Sequence, residues 1–347
     1  VTNAAAHLPT VLHIGPQGSI AGGMAQVVNA YLSWTYSRVQ LRGSRSTKGK
    51  GDRLALFRSA GSVVRITALR IAGGRSVAAV HLSQGGSFLR EGTLVRLAQA
   101  MGLGVAVHLH GSGFADFARR NPTTVRRVLA SADVVLVLTQ ESETLCRELL
   151  PGSRVVRIPN AVTVPAGLLP KKKVIVFGGA VGHRKGVDVL LEAWGALPEL
   201  HDTWKLIIAG PPDGIHIDAS VPSCSPLGSI PHAGLMSLLD EASIAVLPSR
   251  GEAMPMFVLE AMARRCAVVA TDVGQVREVV EGAGLITPPG DVDALVRALR
   301  ELAQSDERRA QLADAARDRV ERRHDRKILV PVLEDNWLST LEMASEA

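Results

Sequence analysis

Short apolar runs alternate with amphipathic stretches along this chain, and that alternation restricts the fold more than any other feature. Runs such as VAAVHL, VIVFGG and AVVAT are valine-rich and nearly continuous in apolar character. Strands read that way when both faces are covered, as in parallel sheets built from βαβ units. The pattern predicts strands over 10–14, 77–82, 104–109 and 133–138, then over 173–177, 204–209, 244–247 and 267–271. Helices fill the intervals at 24–34, 88–100, 123–130, 186–195, 233–241, 255–263 and 291–303. With 347 residues, 46% of them hydrophobic, the chain can build two such domains, each with its own core. The segment 161–173 (AVTVPAGLLPKKK) joins two prolines to a lysine run and reads as the linker between them. The chain ends in a charged helical stretch that Pro331 is expected to kink or break.

Composition removes several function classes. Aromatic residues are only 3%, which leaves no platforms for stacking bases, and no nucleic-acid module is recognisable, so nucleic acid is not an expected partner. The net charge of +6 suits anionic partners in general. Cys146, Cys224 and Cys266 form no Cys-x-x-Cys pair and read as free thiols of a reducing compartment. No apolar run approaches a membrane span, and the first residues lack the basic region of a signal peptide. A cytoplasmic protein is expected, with at most peripheral contact at the inner face of a membrane. The candidate contact is the basic run Arg42, Arg45, Lys48, Lys50 and Arg53, within a segment 38–75 whose single acid is Asp52. A solvated, mobile arm reads equally well.

The residues that carry chemistry concentrate in SRGEAMPMFVLEAMA, 249–263. Glu252 lies on the loop after the strand 244–247, and Pro255 occupies the position favoured for a first helical residue. Glu260 follows just over a turn into that helix, near its exposed end. A loop carboxylate can accept sugar hydroxyls, and one on the helix can chelate two vicinal ribose hydroxyls. The N–H groups between Ala253 and Phe257, including those of Met254 and Met256, suit a diphosphate at a helix start. A glutamate pair by itself reads better as two ordinary glutamates of a surface helix. GGAVGHRKG, 178–186, follows the strand 173–177; its glycines admit a phosphate and Lys185 offers a point charge, with Arg184 beside it.

In the first half, Gly22 and Gly23 open a helix after the strand 10–14, as in any tight βα loop. His108 and His110 point the same way on the strand 104–109, and no third ligand is spaced to complete a metal site. Asp291 and Asp293 match an Asp-x-Asp metal signature but stand at a helix start, where aspartates cap.

Two glutamates eight positions apart, around a loop-Pro-helix and followed by EAMA, resemble the donor-site signature of glycosyltransferase family 4, the retaining GT-B enzymes. The flanking LGSIPHAGLMSLLDEASIAVLPS and ATDVGQVREVVEGAGLITPPGD extend the resemblance over most of 173–300. It implies two Rossmann-like domains with parallel sheets facing across a cleft. Residues 1–165 would bind the acceptor, 166–325 the nucleotide-sugar, and 326–347 would cross back to the first domain. It also implies transfer with retention from a nucleotide-diphosphate-sugar, a UDP- or GDP-sugar, by a front-face mechanism; no metal or other cofactor is expected, because the Asp-x-Asp starts a helix and the histidine pair has no third ligand. In that reading His110, Lys185 and Glu252 are catalytic. The donor is bound by Gly22, Gly23, Arg184, Ile230, Ala253, Met254, Pro255, Met256 and Glu260. Ile230 stands for the segment that meets the nucleobase. The family usually shows Gly-Arg-x-x-x-x-Lys-Gly where this chain has Ala180 in the arginine position; Arg184 or His183 are candidate substitutes. HLSQGGSFLR, 81–90, is similar to a subgroup that assembles polysaccharides, so a lipid-linked or polysaccharide-precursor glycan is the expected acceptor. A nucleotide-sugar 2-epimerase and a non-catalytic nucleotide-sugar-binding protein are the alternatives on the same scaffold.

Overall fold

The computed structural model of the chain describes residues 8–18, 20, 22–47, 52 and 54–346. The chain divides into two units, one of residues up to Pro159 with those from Leu329 onward, the other Asn160–Ile328. The boundaries expected at 165 and 325 shift for a visible reason. Val162 forms a parallel bridge with Asp325, its N–H donates to His324 O at 2.8 Å, and Arg317 Nη2 donates to Pro165 O at 2.8 Å. The first residues of the expected linker are thus bonded into the second unit.

The first unit holds six parallel strands, β1 (Thr10–Gly15), β2 (Gln40–Arg45), β3 (Ser76–Leu82), β4 (Gly104–Leu109), β5 (Val134–Val137) and β6 (Val155–Arg157), in the order β2-β1-β3-β4-β5-β6. The second holds β7 (Lys172–Gly178), β8 (Lys205–Ala209), β9 (Cys224–Gly228), β10 (Ala242–Leu247), β11 (Ala267–Thr271) and β12 (Leu285–Thr287), in the order β12-β11-β10-β7-β8-β9. Every residue of β3, β4, β10 and β11 is buried, which is why these runs read as unbroken apolar segments. In each sheet the strand order reverses beside one pair, β1 with β3 and β7 with β10. In open parallel sheets the ligand crevice lies outside the carboxyl ends of such a pair, so the loops after these four strands are where a site is sought.

The basic segment read as a solvated arm is in large part ordered structure. It contains β2, an edge strand whose one buried residue is Ser44, and the helix Ala55–Ile71. Edge placement explains why the polar sequence QLRGSR concealed a strand. Ile66 anchors the helix in the core of the first sheet, Ser62 Oγ lies 2.8 Å from Ser44 Oγ, and Arg65 Nη1 donates to Gly43 O at 2.8 Å. Lys48, Lys50 and Arg53 lie outside the described residues; Arg42 and Arg45 are exposed on β2.

Pro331 does not break the last helix, which runs continuously over Arg326–Glu346. Tertiary contacts hold this stretch: Glu334 accepts from the backbone N–H groups of Ser37 and Arg38 at 2.8 and 2.7 Å, and Trp337 is wholly buried. From Leu329 onward the helix belongs to the first unit. Cys146, Cys224 and Cys266 are free thiols, and no described helix is long and apolar enough to cross a membrane.

Candidate functional site

In the second unit, the loops after β7 and β10 are fastened together. Gly186 has φ +69°, and a Cβ built on it would stand 1.8 Å from Pro248 O, so only glycine allows this approach. Arg184 Nη1 donates to Gly251 O at 2.9 Å, and Arg250 N donates to Arg184 O at 2.8 Å. The Arg250 guanidinium forks onto Asp188 at 2.8 and 2.7 Å and holds that carboxyl down at about 2. This lacing brings Lys185 Nζ onto Glu252 Oε1, which also accepts from Ser249 Oγ at 2.8 Å. The two side chains are only 15% and 9% exposed, so the pair is far better shielded than a surface ion pair. Ala180 is half-buried at the start of the first loop. Of its candidate substitutes, Arg184 is engaged with Gly251, and His183 Nδ1 stands 3.3 Å from Asp188.

The helix that follows is Met256–Ala263, and all eight residues are buried. The surface-helix reading of its glutamate therefore fails. Pro255 is the N-cap rather than the first helical residue, and its side chain offers no acceptor to the first-turn N–H groups. Ala253, Met254 and Met256 are buried at this turn. Ala253 O accepts from Gln275 N at 2.8 Å, while Met254 O accepts from Asn160 Nδ2 at 2.8 Å. Glu260, expected near an exposed end, is 5% exposed and bonded to His232 Nε2 at 2.7 Å. That bond to the carboxylate raises the pKa of His232 above its ordinary value. His232 opens the helix His232–Glu241 two residues after Ile230, so the segment expected to meet a base is tied to the carboxylate expected to meet a ribose.

Sequence reasoning overlooked both His232 and Asn160; their partners lie 28 and 94 residues away, and only the histidine in IPHAG at a helix start carried a signal. Asp291 caps its helix, accepting from Ala294 N at 2.8 Å.

In the first unit, Gly22 has φ +132° and N-caps the helix Gly23–Ser33, and a Cβ on Gly22 or Gly23 would meet nothing within 4 Å. That turn is open on its outer side. In the same unit β1, β3 and β4 carry His13, His81 and His108, His110 follows β4 directly, and the four rings form one cluster. His81 and His108 are register partners with rings 4.7 Å apart, and His13 and His110 lie 5.2 and 5.1 Å from the His81 ring. The expectation that no third ligand accompanies His108 and His110 is thus corrected. His81 joins them, with candidate ligand atoms of all three within 4.8 Å. Strand pairing brings it there, which spacing along the chain does not reveal. Trp337 Nε1 donates to His108 Nε2 at 3.2 Å. A neutral imidazole that accepts at Nε2 carries its proton on Nδ1, so while this bond stands His108 has no lone pair left for a metal. Burial lowers the pKa of His110 to about 4 and that of His13 to about 3, and holds His81 and His108 well below their ordinary value.

Residues 164–319 match the protein family described as Glycosyl transferases group 1. The chain is similar to a phosphatidyl-myo-inositol mannosyltransferase of Mycobacterium leprae, 32% identical over 190 residues, 50% of this chain and 50% of that protein. An uncharacterised glycosyltransferase of Haemophilus influenzae is 29% identical over 210 residues, 54% of this chain and 57% of that protein. The chain spans about half the length of these curated relatives. Among solved structures, HepE of Anabaena in complex with UDP and glucose is similar with a TM-score of 0.71 at 15% identity, over 95% of this chain and 99% of that one. Sucrose-phosphate synthase of Thermosynechococcus elongatus gives 0.71 at 17% identity, over 96% and 100%. Such likeness is one of fold: an α/β chain of two parallel-sheet, Rossmann-like units, the GT-B fold.

Proposed function

We propose that this chain is a glycosyltransferase that moves a sugar from a nucleotide-diphosphate-sugar to an acceptor with retained anomeric configuration. The shielded Lys185–Glu252 pair at the carboxyl ends of β7 and β10 carries this reading. Each group neutralises the other, so a diphosphate that reaches Lys185 replaces Glu252 as its partner and leaves that carboxylate to accept sugar hydroxyls. The first turn of Met256–Ala263 adds N–H groups and the positive end of a helix dipole to the leaving diphosphate. Glu260, oriented by His232, takes the ribose hydroxyls, with the Ile230 segment at the base. The acceptor oxygen bonds to the anomeric carbon as the bond from that carbon to the phosphate oxygen breaks, and the acceptor's proton passes to the departing diphosphate. Lys185, the helix start and backbone amides meet the developing charge without a divalent ion. UDP and GDP both suit this arrangement. The acceptor we favour is a lipid-linked or polysaccharide-precursor glycan; one relative, the mannosyltransferase of Mycobacterium leprae, is named for a lipid, phosphatidyl-myo-inositol.

One observation supports peripheral contact with an anionic membrane. The helix Ala55–Ile71 exposes Phe57, Val64 and Ile71 at 77%, 68% and 80%, spaced by seven residues and hence on one face, in the unit whose edge strand β2 exposes Arg42 and Arg45.

A thermal-shift panel of UDP-, GDP- and ADP-sugars tests the donor, because a ligand that binds only the folded state raises stability with the logarithm of its concentration over Kd. NMR of the product with a glycan acceptor then reads the anomeric configuration. A chain that no nucleotide-sugar stabilises is not this enzyme. Donor conversion to a 2-epimer without acceptor would reassign it to the epimerase class.

A further inference from the structure

The histidines of the first unit form a hydrogen-bonded chain whose proton positions follow from counting donors. His13 Nδ1 lies 2.9 Å from His81 Nε2, and His81 Nδ1 lies 2.8 Å from His110 Nε2. A neutral imidazole has one N–H and one lone pair. His81 is bonded through both nitrogens, so it donates at one and accepts at the other, and the chain is directional from end to end. All three rings are neutral at pH 7, since burial holds their pKa values far below it.

Two arrangements satisfy these bonds. In one, His110 donates from Nε2, His81 donates from Nε2, and His13 is left with an N–H on its own Nε2. In the other, His13 donates from Nδ1, His81 donates from Nδ1, and His110 is left with an N–H on Nδ1. Both end nitrogens, His13 Nε2 and His110 Nδ1, are buried without a partner among the described residues. They differ in depth. His13 is 0% exposed, with the rings of Tyr31 and Trp337 at 5.9 and 5.0 Å, whereas His110 is half-buried at the residue following β4. An orphan N–H is costlier in the deep interior than at a strand end, where a ligand oxygen can pair with it.

We infer that His13 and His81 are positioning residues that lock His110 in its Nδ1–H tautomer, so that it presents a donor, not an acceptor, to a ligand oxygen at the end of β4. The identity of that ligand rests on the glycosyl-transfer reading; the tautomer does not. Gly15 belongs to the device, because a Cβ there would stand 3.0 Å from His81 Cβ and push the ring out of line.

Long-range proton–nitrogen NMR of the full chain with nitrogen-15-labelled histidine, at pH 7, reads each tautomer directly. His13, His81 and His110 are all expected to carry the proton on Nδ1. His81→Phe should release His110 to the Nε2–H form, while His81→Asn, whose amide N–H₂ takes the place of Nδ1, should keep it locked. In sugar transfer, His81→Phe should lower kcat about tenfold with nucleotide Kd unchanged, and His81→Asn should restore most of it. Protonation of His110 on Nε2 in the parent chain overturns the inference, whether or not any variant folds. So does a His110 that stays Nδ1–H in His81→Phe, or a His81→Phe enzyme with full kcat. The spectra require no substrate, so a parent chain that turns over no nucleotide-sugar would defeat glycosyl transfer alone and leave the tautomer to its own result.

Discussion

The two units place polar groups at equivalent points of similar sheets, beside the strand pair where the order reverses, yet they satisfy those groups by opposite means. In the second unit the groups are charged, sit on loops or helix starts, and are met by ion pairs: Lys185 with Glu252, His232 with Glu260, Arg250 with Asp188. In the first they are neutral imidazoles on the strands or directly after them, three bonded to one another and the fourth, His108, to Trp337. Loop-borne charges can exchange an internal partner for a ligand at little structural cost. Strand-borne neutral groups cannot move, and what they offer a ligand is decided by where a proton sits. On the proposed function the second unit trades partners and the first holds geometry.

The largest expected effect breaks the charged side of this comparison. Lys185→Ala should lower donor turnover by about 100-fold or more, since it removes the point charge opposite the leaving diphosphate. Arg184→Ala, which loosens only a bond to Gly251, should cost less than about tenfold, and exhaustive chelation with EDTA should leave turnover intact. Steady-state kinetics on the three samples decide it. Equal losses for both variants would remove Lys185 from its special place, and restoration by magnesium after EDTA would make the site metal-dependent.

Next in size, Glu260→Ala should weaken nucleotide binding by about 1–3 kcal/mol, the worth of a charged hydrogen-bond acceptor. Calorimetry with UDP and GDP measures it, and unchanged affinity in a folded variant would refute the ribose assignment.

Acidification should move the two units in opposite directions. His13 and His110 titrate near 3 and 4 in the folded chain against 6.5 when unfolded, so the unfolded state binds more protons between those values. The first unit should lose stability as pH falls below about 6.5. His232 is raised above 6.5 by Glu260, so its contribution is full below that value and fades as pH rises through the raised one. Hydrogen exchange at pH 7 and pH 5, corrected for intrinsic rates, should show looser β1, β3 and β4 at the lower pH without matching loosening around His232. An NMR titration should find the His232 midpoint lowered in Glu260→Gln. Uniform loosening of both units, or an unmoved midpoint, contradicts the contrast.

The smallest effect concerns the outer face of the first unit. Vesicles containing phosphatidylglycerol should retain the chain where phosphatidylcholine vesicles do not, less so as salt rises. Phe57→Ser with Ile71→Ser should weaken that retention a few-fold. Equal binding to both vesicles, or to neither, leaves the exposed face without a membrane role.

Much of the fold was legible because parallel strands buried on both faces leave unbroken apolar runs, and β3, β4, β7, β10 and β11 were read within a residue or so. β2 escaped because an edge strand with one buried residue has no such run. The helix Ala55–Ile71 hid among arginines whose side chains turned out to tie it to β2 and Asp52. Of the candidate site, Lys185 and Glu252 were read from loops that follow marked strands, and Pro255 and Glu260 from the loop-Pro-helix pattern of 249–263.

The sequence by itself determined the alternation of elements and the segments of the second unit in which the candidate site residues concentrate. These are local properties: they depend on residue type and on neighbours within a dozen positions. Tertiary structure alone decided that Glu260 is buried against His232, that Asn160 holds Met254, that His13, His81 and His110 form one hydrogen-bonded chain, and that Trp337 donates to His108 beside it. The reason is geometric. Parallel strands pair only after a crossover of many residues, so partners across such a sheet are distant in the chain, and no spacing rule records them.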